Sequence, residues 1–166
     1  MTSDAGDNLT ALYNMKSDST VISSFDYAVD KVGKRTSVVE ANGDRVTWSY
    51  DHSYQLTREQ RSGANSYDDE YKYDSVGNRK EKTADGARTT TVYDAANQIS
   101  YSEGSIGKTT YAFDADGNQQ IVEEPNGDRT TTIWDYENQS TLYQLPSGAL
   151  VTMSYNADNR RVRKES

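Results

Sequence analysis

The sequence has no cysteine, two prolines, one histidine and few large aliphatic residues. The lack of cysteine excludes disulfide bonds, thiolate metal ligands and thiol catalysis. Leu, Ile, Val and Phe number 24 of 166 residues, which is below the rough fifth at which a charged chain is expected to be disordered. No apolar run approaches the length of a membrane-spanning helix, so we expect no membrane span.

The chain also lacks the positive charge that nucleic acid binding requires. Its formal net charge is −8, and phosphate binding depends on clustered Lys and Arg, so we expect no nucleic acid partner. The one dense basic run, residues 160–164, is interpreted as a solvated strand.

Aromatic residues and threonine are abundant, although large aliphatic residues are few. There are 13 Tyr, 2 Trp and 17 Thr, and these residues fit a pleated, half-buried surface. The composition therefore predicts an all-β protein with a thin, tyrosine-rich core rather than a disordered acidic chain.

A short phrase recurs along the chain with a period of about 21 residues. We call the Asp or Asn that opens it the head and the residue before it the head aromatic, since six of the seven preceding residues are aromatic. The heads are Asp30, Asp51, Asp74, Asp94, Asp114, Asp135 and Asn156.

The third residue after each head indicates a hairpin turn. A type I turn closed by a left-handed residue favours Asp first and Gly or Asn fourth. The fourth positions are Gly33, Tyr54, Gly77, Asn97, Gly117, Asn138 and Asn159. Tyr54 does not fit, so its turn is expected to be longer or strained.

A second turn signal follows most heads by 12 or 13 residues, as at Asn42-Gly43 and Asn126-Gly127, so each repeat contains two strands. Between turns the pattern alternates: Val46, Trp48 and Tyr50 share one face, predicted to be dry, and the residues between them share a wet one. No helical periodicity is present. We predict an antiparallel β-hairpin repeat of about fourteen strands from residue 20 onward, in a curved or spiralling sheet with aromatic rings stacked between neighbouring repeats.

The chain divides into residues 1–19, an N-terminal flank or degenerate partial repeat around Asp4, and residues 20–166, the repeat array. Neither end resembles a capping unit, so we expect an excised segment that continues into further repeats or self-associates through exposed strand edges.

The phrase Tyr-Asp-x-x-Gly-Asn-Arg at residues 73 to 79, echoed at Phe113-Asp114 and Tyr93-Asp94, resembles the YD repeat of the rearrangement-hotspot (Rhs) family. The resemblance covers roughly residues 20 to 166. It implies a β-sheet that spirals into a hollow shell, as in bacterial polymorphic toxins, insecticidal toxin complexes and the related teneurin barrels. It also implies a secreted or cell-surface location, with other domains of a parent protein as partners.

Two departures limit what the resemblance implies. The Gly-Arg-Leu that commonly follows the family's turn is not kept here, and the proline- and glycine-rich segment with self-cleaving aspartates has no counterpart. Self-cleavage and a toxin payload are therefore not expected of this segment.

Several residues invite a chemical interpretation. His52 follows a turn Asp, but no nucleophile-elbow pattern accompanies it. The run from Asp114 to Asn118 imitates the start of a calcium loop, yet the twelfth residue is Pro125 rather than Glu. The acidic runs 68–70 and 123–124 provide carboxylates for a glycosidase-like pair, although solvated strands explain them as well. We expect no catalytic residues, metal or cofactor.

The main alternative function depends on Trp48 and Trp134. Exposed tryptophans on a sheet face would stack against sugar rings, whereas buried ones would form the core. The leading hypothesis is a non-catalytic shell segment, and the alternative is a binding module for polysaccharide or a cell-surface receptor.

Overall fold

Thr- and Tyr-rich stretches form strands wherever the sequence alternates, and Gly, Asn and Asp interrupt them at every turn. The computed structural model describes all 166 residues, and all its regular elements are strands. They are β1 (Thr2–Ser3), β2 (Leu9–Met15), β3 (Val21–Val29), β4 (Arg35–Glu40), β5 (Arg45–Tyr50), β6 (Leu56–Ser62), β7 (Tyr67–Tyr73), β8 (Arg79–Ala84), β9 (Ala87–Tyr93), β10 (Ile99–Gly104), β11 (Gly107–Phe113), β12 (Gln119–Glu123), β13 (Arg129–Trp134), β14 (Ser140–Gln144), β15 (Leu150–Tyr155) and β16 (Arg161–Glu165).

The strand order of the sheet is the order of the sequence, from β1 to β16, and the sheet is not closed into a barrel. This confirms the predicted antiparallel hairpin repeat, including its fourteen strands from Val21 onward. The chain forms two compact units, Met1–Arg88 and Thr89–Ser166, which are described separately.

A β-bulge follows every head turn. In the first unit, for example, Lys72 pairs with Glu81 and Tyr73 pairs with Arg79, which leaves Lys80 as the extra residue. A bulge adds one unpaired residue to one strand and increases the local twist. The extra residues after the seven heads are Thr36, Thr57, Lys80, Ser100, Gln120, Thr141 and Val162.

Some of the bulge residues make a bond of their own to the facing strand. The hydroxyl of Thr36 donates to the Ala28 carbonyl at 3.3 Å, and that of Thr141 donates to the Ile133 carbonyl at 3.2 Å. Threonine at the bulge thereby satisfies a backbone acceptor next to the irregular pairing.

The predicted alternation of the strands is present. Val46 is buried and Trp48 and Tyr50 are half-buried, while Arg45 and Ser49 are exposed. The apolar face is nevertheless not dry. Fully buried large side chains are absent, and the buried apolar residues are limited to Ala11, Val38, Val46 and Met153.

The accessible surface is correspondingly large. It measures 11132 Å², whereas a compact monomer of 18.6 kDa exposes about 8,200 Å² by the usual scaling of area with mass. A sheet buries its apolar face only when another layer packs against it. The tyrosine-rich face expected to be a core is therefore half-open in this chain.

Candidate functional site: the head turns and the aromatic face

The head turns share one hydrogen-bond pattern, which Asp74 illustrates. Its Oδ1 accepts hydrogen bonds from the amides of Val76 at 3.0 Å and Asn78 at 2.8 Å. The Gly77 amide donates to the Asp74 carbonyl at 3.2 Å, and the Asp74 amide donates to the Asn78 carbonyl at 2.9 Å. The side chain thus accepts hydrogen bonds from the two turn amides that have no backbone partner, as in an Asx turn.

The other predicted heads bind the same two amides through their side-chain oxygens: Asp30, Asp51, Asp94, Asp114, Asp135 and Asn156. The fourth residues of these turns all have positive φ: Gly33 (83°), Tyr54 (64°), Gly77 (95°), Asn97 (60°), Gly117 (86°), Asn138 (59°) and Asn159 (59°).

The turn at Tyr54 was expected to be longer or strained, and the structure shows a turn of ordinary length with a strained residue. The residue is held at a φ of 64°, which is uncommon for a bulky side chain. Two contacts with Lys34 stabilise Tyr54 in this conformation. The Lys34 ammonium lies 4.1 Å from the Tyr54 ring centroid and donates to the Tyr54 carbonyl at 2.8 Å. The same ammonium lies 4.6 Å from the Tyr50 ring centroid, so one lysine contacts two tyrosines.

A turn of the same kind is present near the start of the chain. Oδ1 of Asp4 accepts from the amides of Gly6 at 2.8 Å and Asn8 at 2.9 Å, and Asp7 has a φ of 60°. Residues 1–19 therefore contain a head turn although the head aromatic is missing.

Side chains also connect successive head turns, which the sequence analysis missed. In two turns of the second unit, the residue after the turn bonds to the fourth residue of the next turn. Asn118 Nδ2 donates to Asn138 Oδ1, and Gln139 Nε2 donates to Asn159 Oδ1, both at 2.7 Å. Where the fourth residue is Gly117, the amide of Gln98 lies 3.2 Å from the place a Cβ would take. Glycine therefore gives room to the side chain from the neighbouring repeat, whereas asparagine bonds to it.

The head aromatics have a second recurring role. Four of them donate a side-chain hydrogen bond to the carbonyl of the first residue of the preceding strand, next to the bulge of the preceding head. The bonds are Tyr50 to Arg35 (3.0 Å), Tyr73 to Leu56 (2.8 Å), Trp134 to Gln119 (2.9 Å) and Tyr155 to Ser140 (3.1 Å). These contacts take the place of the ring stacking expected between repeats. The ring pair at stacking distance, Phe25 and Tyr27, lies within β3 at a centroid separation of 6.5 Å.

The two tryptophans proposed as ligand platforms are both half-buried. Trp134 is tied by its Nε1–H to the Gln119 carbonyl, and Trp48 lies on β5 opposite Glu59 of β6. They lie in different units, so each stands by itself as a candidate platform.

A partly buried cluster of one arginine and two carboxylates lies beside the second turn of the first full repeat. The Arg61 guanidinium donates to Glu40 Oε2 at 2.7 Å and to Asp44 Oδ2 at 2.9 Å. Asp44 is 7% exposed and also accepts from the Ala64 amide at 3.2 Å. The hydrogen bond from Arg61 lowers the pKa of Glu40. Burial raises the pKa of Asp44, but the bonds from Ala64 and Arg61 outweigh it and lower this pKa as well.

The remaining candidates for chemistry are engaged in structure. Asp114 has one carboxylate oxygen bound by the amides of Asp116 and Asn118 and the other by the Asn118 side chain, so its oxygens serve the turn. In the acidic run, Asp68 pairs with Arg58 and Asp69 pairs with Lys82. His52 is an exposed turn residue. Groups of three or more carboxylate or imidazole side chains that could hold a metal ion are absent.

These features define an open antiparallel meander of hairpin repeats, in which every repeat combines an Asx head turn with a bulge and four repeats add a bond from the head aromatic to the preceding strand. No family model and no curated protein matches the sequence. No helix in the structure is long and apolar enough to cross a membrane.

The solved structures that this chain resembles include toxin complexes. The chain is similar to a segment of the Photorhabdus luminescens Tc holotoxin pore, with 14% identity, a TM-score of 0.54 and coverage of 98% of this chain and 12% of that one. It is likewise similar to the TcdB2-TccC3 complex, with 14% identity, a TM-score of 0.54 and coverage of 93% of this chain and 12% of that one. TcdB2-TccC3 without its hypervariable C-terminal region gives 11% identity, a TM-score of 0.54 and coverage of 86% and 10%.

This chain spans about a tenth of the length of those chains. Because these complexes contain Rhs/YD-repeat shells, the likeness confirms the resemblance to that family at the level of the fold.

Proposed function

We propose that this chain is a non-catalytic wall segment of an Rhs/YD-repeat shell in a larger protein, where it encloses or displays other domains. The observation that carries the proposal is the repeated unit itself. The Asx turn and the bulge recur at every head, and four of the seven heads add the bond from the head aromatic to the preceding strand. Asp68, Asp69 and Asp114, which could do chemistry, are used in ion pairs and a turn. Repetition without a singular site is typical of a scaffold.

The large accessible surface supports the same proposal. The chain exposes about a third more surface than a compact monomer of its mass, and its tyrosine-rich face is half-open. A wall segment would have this property, because neighbouring parts of the parent protein would cover that face.

The partners we propose are further repeats and other domains of the parent protein. β1 and β16 are the two ends of the strand order, so further strands of the parent or of a second copy can pair there. The similar toxin complexes support a secreted or cell-surface location. We also propose that residues 1–19 are a degenerate repeat, which the Asp4 turn supports.

The experiment compares Trp48→Ala, Tyr93→Ala and Trp134→Ala with the parent chain in thermal unfolding and in pull-downs on a panel of insoluble polysaccharides. A wall segment loses stability in all three variants, by about 2 kcal/mol or more for a half-buried aromatic side chain. Saturable polysaccharide binding that is lost in a tryptophan variant with unchanged melting would replace the wall proposal with a tryptophan-based binding module.

A further inference from the structure

One edge of β16 is not covered by another strand. β16 stands at the end of the strand order and pairs with β15 on its other side. All five of its residues, Arg161–Glu165, are exposed. The backbone groups of an uncovered edge can pair with a further strand, and the side chains of the edge select which strand fits. β16 carries three cations, Arg161, Arg163 and Lys164.

β6 in the first unit occupies the same place in its repeat as β16. Each of these two strands follows a head turn, and each has an arginine seven residues after its head. Arg58 of β6 lies opposite Ser49, and Arg163 of β16 lies opposite Ser154. Both serines lie two residues before the head. Arg163 is therefore the equivalent of Arg58, and the contacts of Arg58 indicate what kind of strand covers this edge.

The strand that covers β6 is acidic. The other edge of β6 pairs with β7, which contains the run Asp68-Asp69-Glu70. Arg58 binds Asp68 through two hydrogen bonds: its Nε donates to Oδ1 at 2.7 Å, and its Nη2 donates to Oδ2. Glu70 lies directly opposite Arg58. Two parallel bonds between a guanidinium and a carboxylate hold one geometry, so this contact also favours one register of the two strands.

The cations of β16 have no partner of this kind. Arg163 forms an ion pair with Glu165 on the same strand, and both side chains are exposed. An exposed ion pair contributes little, so a carboxylate on a partner strand can replace it. Lys164 makes no ion pair, and Arg161 contacts the Met153 sulfur at 4.0 Å. In a chain of net charge −8, the edge of β16 is a local site for negative charge.

We propose that the uncovered edge of β16 binds an acidic extended segment, which adds an antiparallel strand as β7 does to β6. Backbone hydrogen bonds pair the two strands, and carboxylates bind Arg163 on one face and Lys164 on the other. The inference rests on the proposed function, in which further strands are partners at this end of the sheet, and it adds the charge of the strand that fits.

Charge on an edge strand has a second consequence. Cations along an edge disfavour pairing with another basic strand, because like charges directly opposite each other are destabilising. The same cations attract a strand of opposite charge. The edge of β16 therefore rejects some strands and accepts others, which gives it specificity.

The test is a fluorescence-polarisation titration of the whole chain against a labelled, end-capped peptide that copies the acidic strand β7, Tyr67–Tyr73. The neutral control peptide carries Asp68→Asn, Asp69→Asn and Glu70→Gln. Two further acidic peptides are methylated on backbone nitrogens, one at residues 68 and 70 and the other at residues 69 and 71. Alternate residues of a strand direct their backbone groups to opposite sides, so strand addition requires that one methylated peptide loses binding and the other keeps it.

The chain variants are Arg163→Gln and Lys164→Gln. Arg160→Gln is the matched control, because Arg160 is exposed and precedes β16, and its amide serves the head turn by donating to Asn156 Oδ1 at 3.0 Å. Each variant should melt close to the parent chain, because the substituted side chains are exposed.

The expected result is saturable binding of the acidic peptide. Its affinity should fall about threefold to fivefold in Arg163→Gln and in Lys164→Gln, as expected for exposed ion pairs, and should be unchanged in Arg160→Gln. The neutral peptide should bind about tenfold more weakly than the acidic one, and added salt should reduce this difference.

Three results would overturn the proposal. One is the absence of saturable binding of the acidic peptide. Another is equal affinity of the acidic and neutral peptides, or of the parent chain and both β16 variants, which would mean that the edge does not select by charge. The third is equal binding of the two methylated peptides, which would exclude strand addition. The wall proposal would survive each of these results, because the melting of the Trp48, Tyr93 and Trp134 variants tests it separately.

Discussion

At the residue scale, the head turns show how one side chain organises several backbone groups. The head oxygen binds two amides, and the fourth residue takes a left-handed conformation. Asn adopts that conformation more readily than other residues with a Cβ, and Gly adopts it without strain, which explains why Gly and Asn exchange there. The second turns use glycine in a similar conformation, and two of them differ in what surrounds the glycine.

Gly63→Ala should destabilise the protein more than Gly43→Ala. Both glycines have positive φ, of 99° and 88°. An alanine in this left-handed conformation lowers the free energy of unfolding by about 1–2 kcal/mol, and this loss applies to both variants. A Cβ at Gly63 would also lie 1.8 Å from Asp44 Oδ1, whereas nothing lies within 4 Å at Gly43. Urea denaturation of both variants measures the difference, and equal losses of stability would contradict the contact.

The ion pair around Arg61 predicts a dependence of stability on pH. The pKa values of Glu40 and Asp44 are lowered in the folded protein, so their contribution to stability is present above the ordinary values of 4.5 and 3.8 and is lost as the pH falls through the folded pKa values. Glu40→Gln should therefore lose less stability than the parent chain between pH 7 and about pH 3.5.

Urea midpoints at the two pH values test this prediction. Glu103→Gln is the control, because Glu103 is exposed and forms no ion pair. The interpretation fails if the parent chain and Glu40→Gln lose the same stability on acidification.

At the element scale, four head aromatics connect the end of their own strand to the start of the preceding strand. Tyr73, for example, donates to the carbonyl of Leu56, next to the bulge at Thr57 that follows the preceding head. The bond adds a contact where the bulge interrupts the regular pairing and so helps to fix the register there. The same arrangement at β5, β7, β13 and β15 explains why the aromatic residue precedes the head.

Tyr73→Phe and Tyr155→Phe should each lower the free energy of unfolding by about 1 kcal/mol, because each removes the hydroxyl that bonds to a backbone carbonyl and keeps the ring. Tyr136→Phe is the control: Tyr136 is 92% exposed and follows the head Asp135. Thermal and urea unfolding measure the three variants. If Tyr136→Phe lost as much stability as the other two variants, the bonds to the backbone carbonyls could not explain the losses.

At the scale of the whole molecule, the chain buries little apolar surface for its length. Its accessible area of 11132 Å² exceeds the roughly 8,200 Å² of a compact monomer, and fully buried large side chains are absent. Stability must therefore rest on backbone pairing, ion pairs and half-buried tyrosines within each hairpin.

The denaturant dependence of unfolding should reflect that small burial. The urea m-value scales with the area exposed on unfolding, so it should fall below that of compact proteins of equal length measured in the same buffer. Equilibrium unfolding followed by tryptophan fluorescence and by circular dichroism gives the slope. An m-value typical of compact proteins would show that the chain buries a second layer in solution, for example by self-association.

Local chemistry made much of the fold predictable from sequence. A head Asp, a left-handed Gly or Asn and alternating Tyr and Val act within a few residues, so turns, strand number and strand alternation follow from the sequence alone. The turn between β10 and β11 was missed, because Gly104 to Gly107 contains no Asn-Gly or Asp-Gly pair. The role of the head aromatics was also missed, because hydroxyls such as those of Tyr73 and Tyr155 donate to carbonyls on the preceding strand.

Only the tertiary structure decided which distant residues meet. The bulges, the bond from Tyr73 to Leu56 and the ion pairs of Arg61 all depend on strand register. Register arises when strands pair, and a shift of one residue would turn each of these side chains to the other face. The sequence therefore determined the repeated unit, while strand pairing determined its contacts and the surfaces left open for binding.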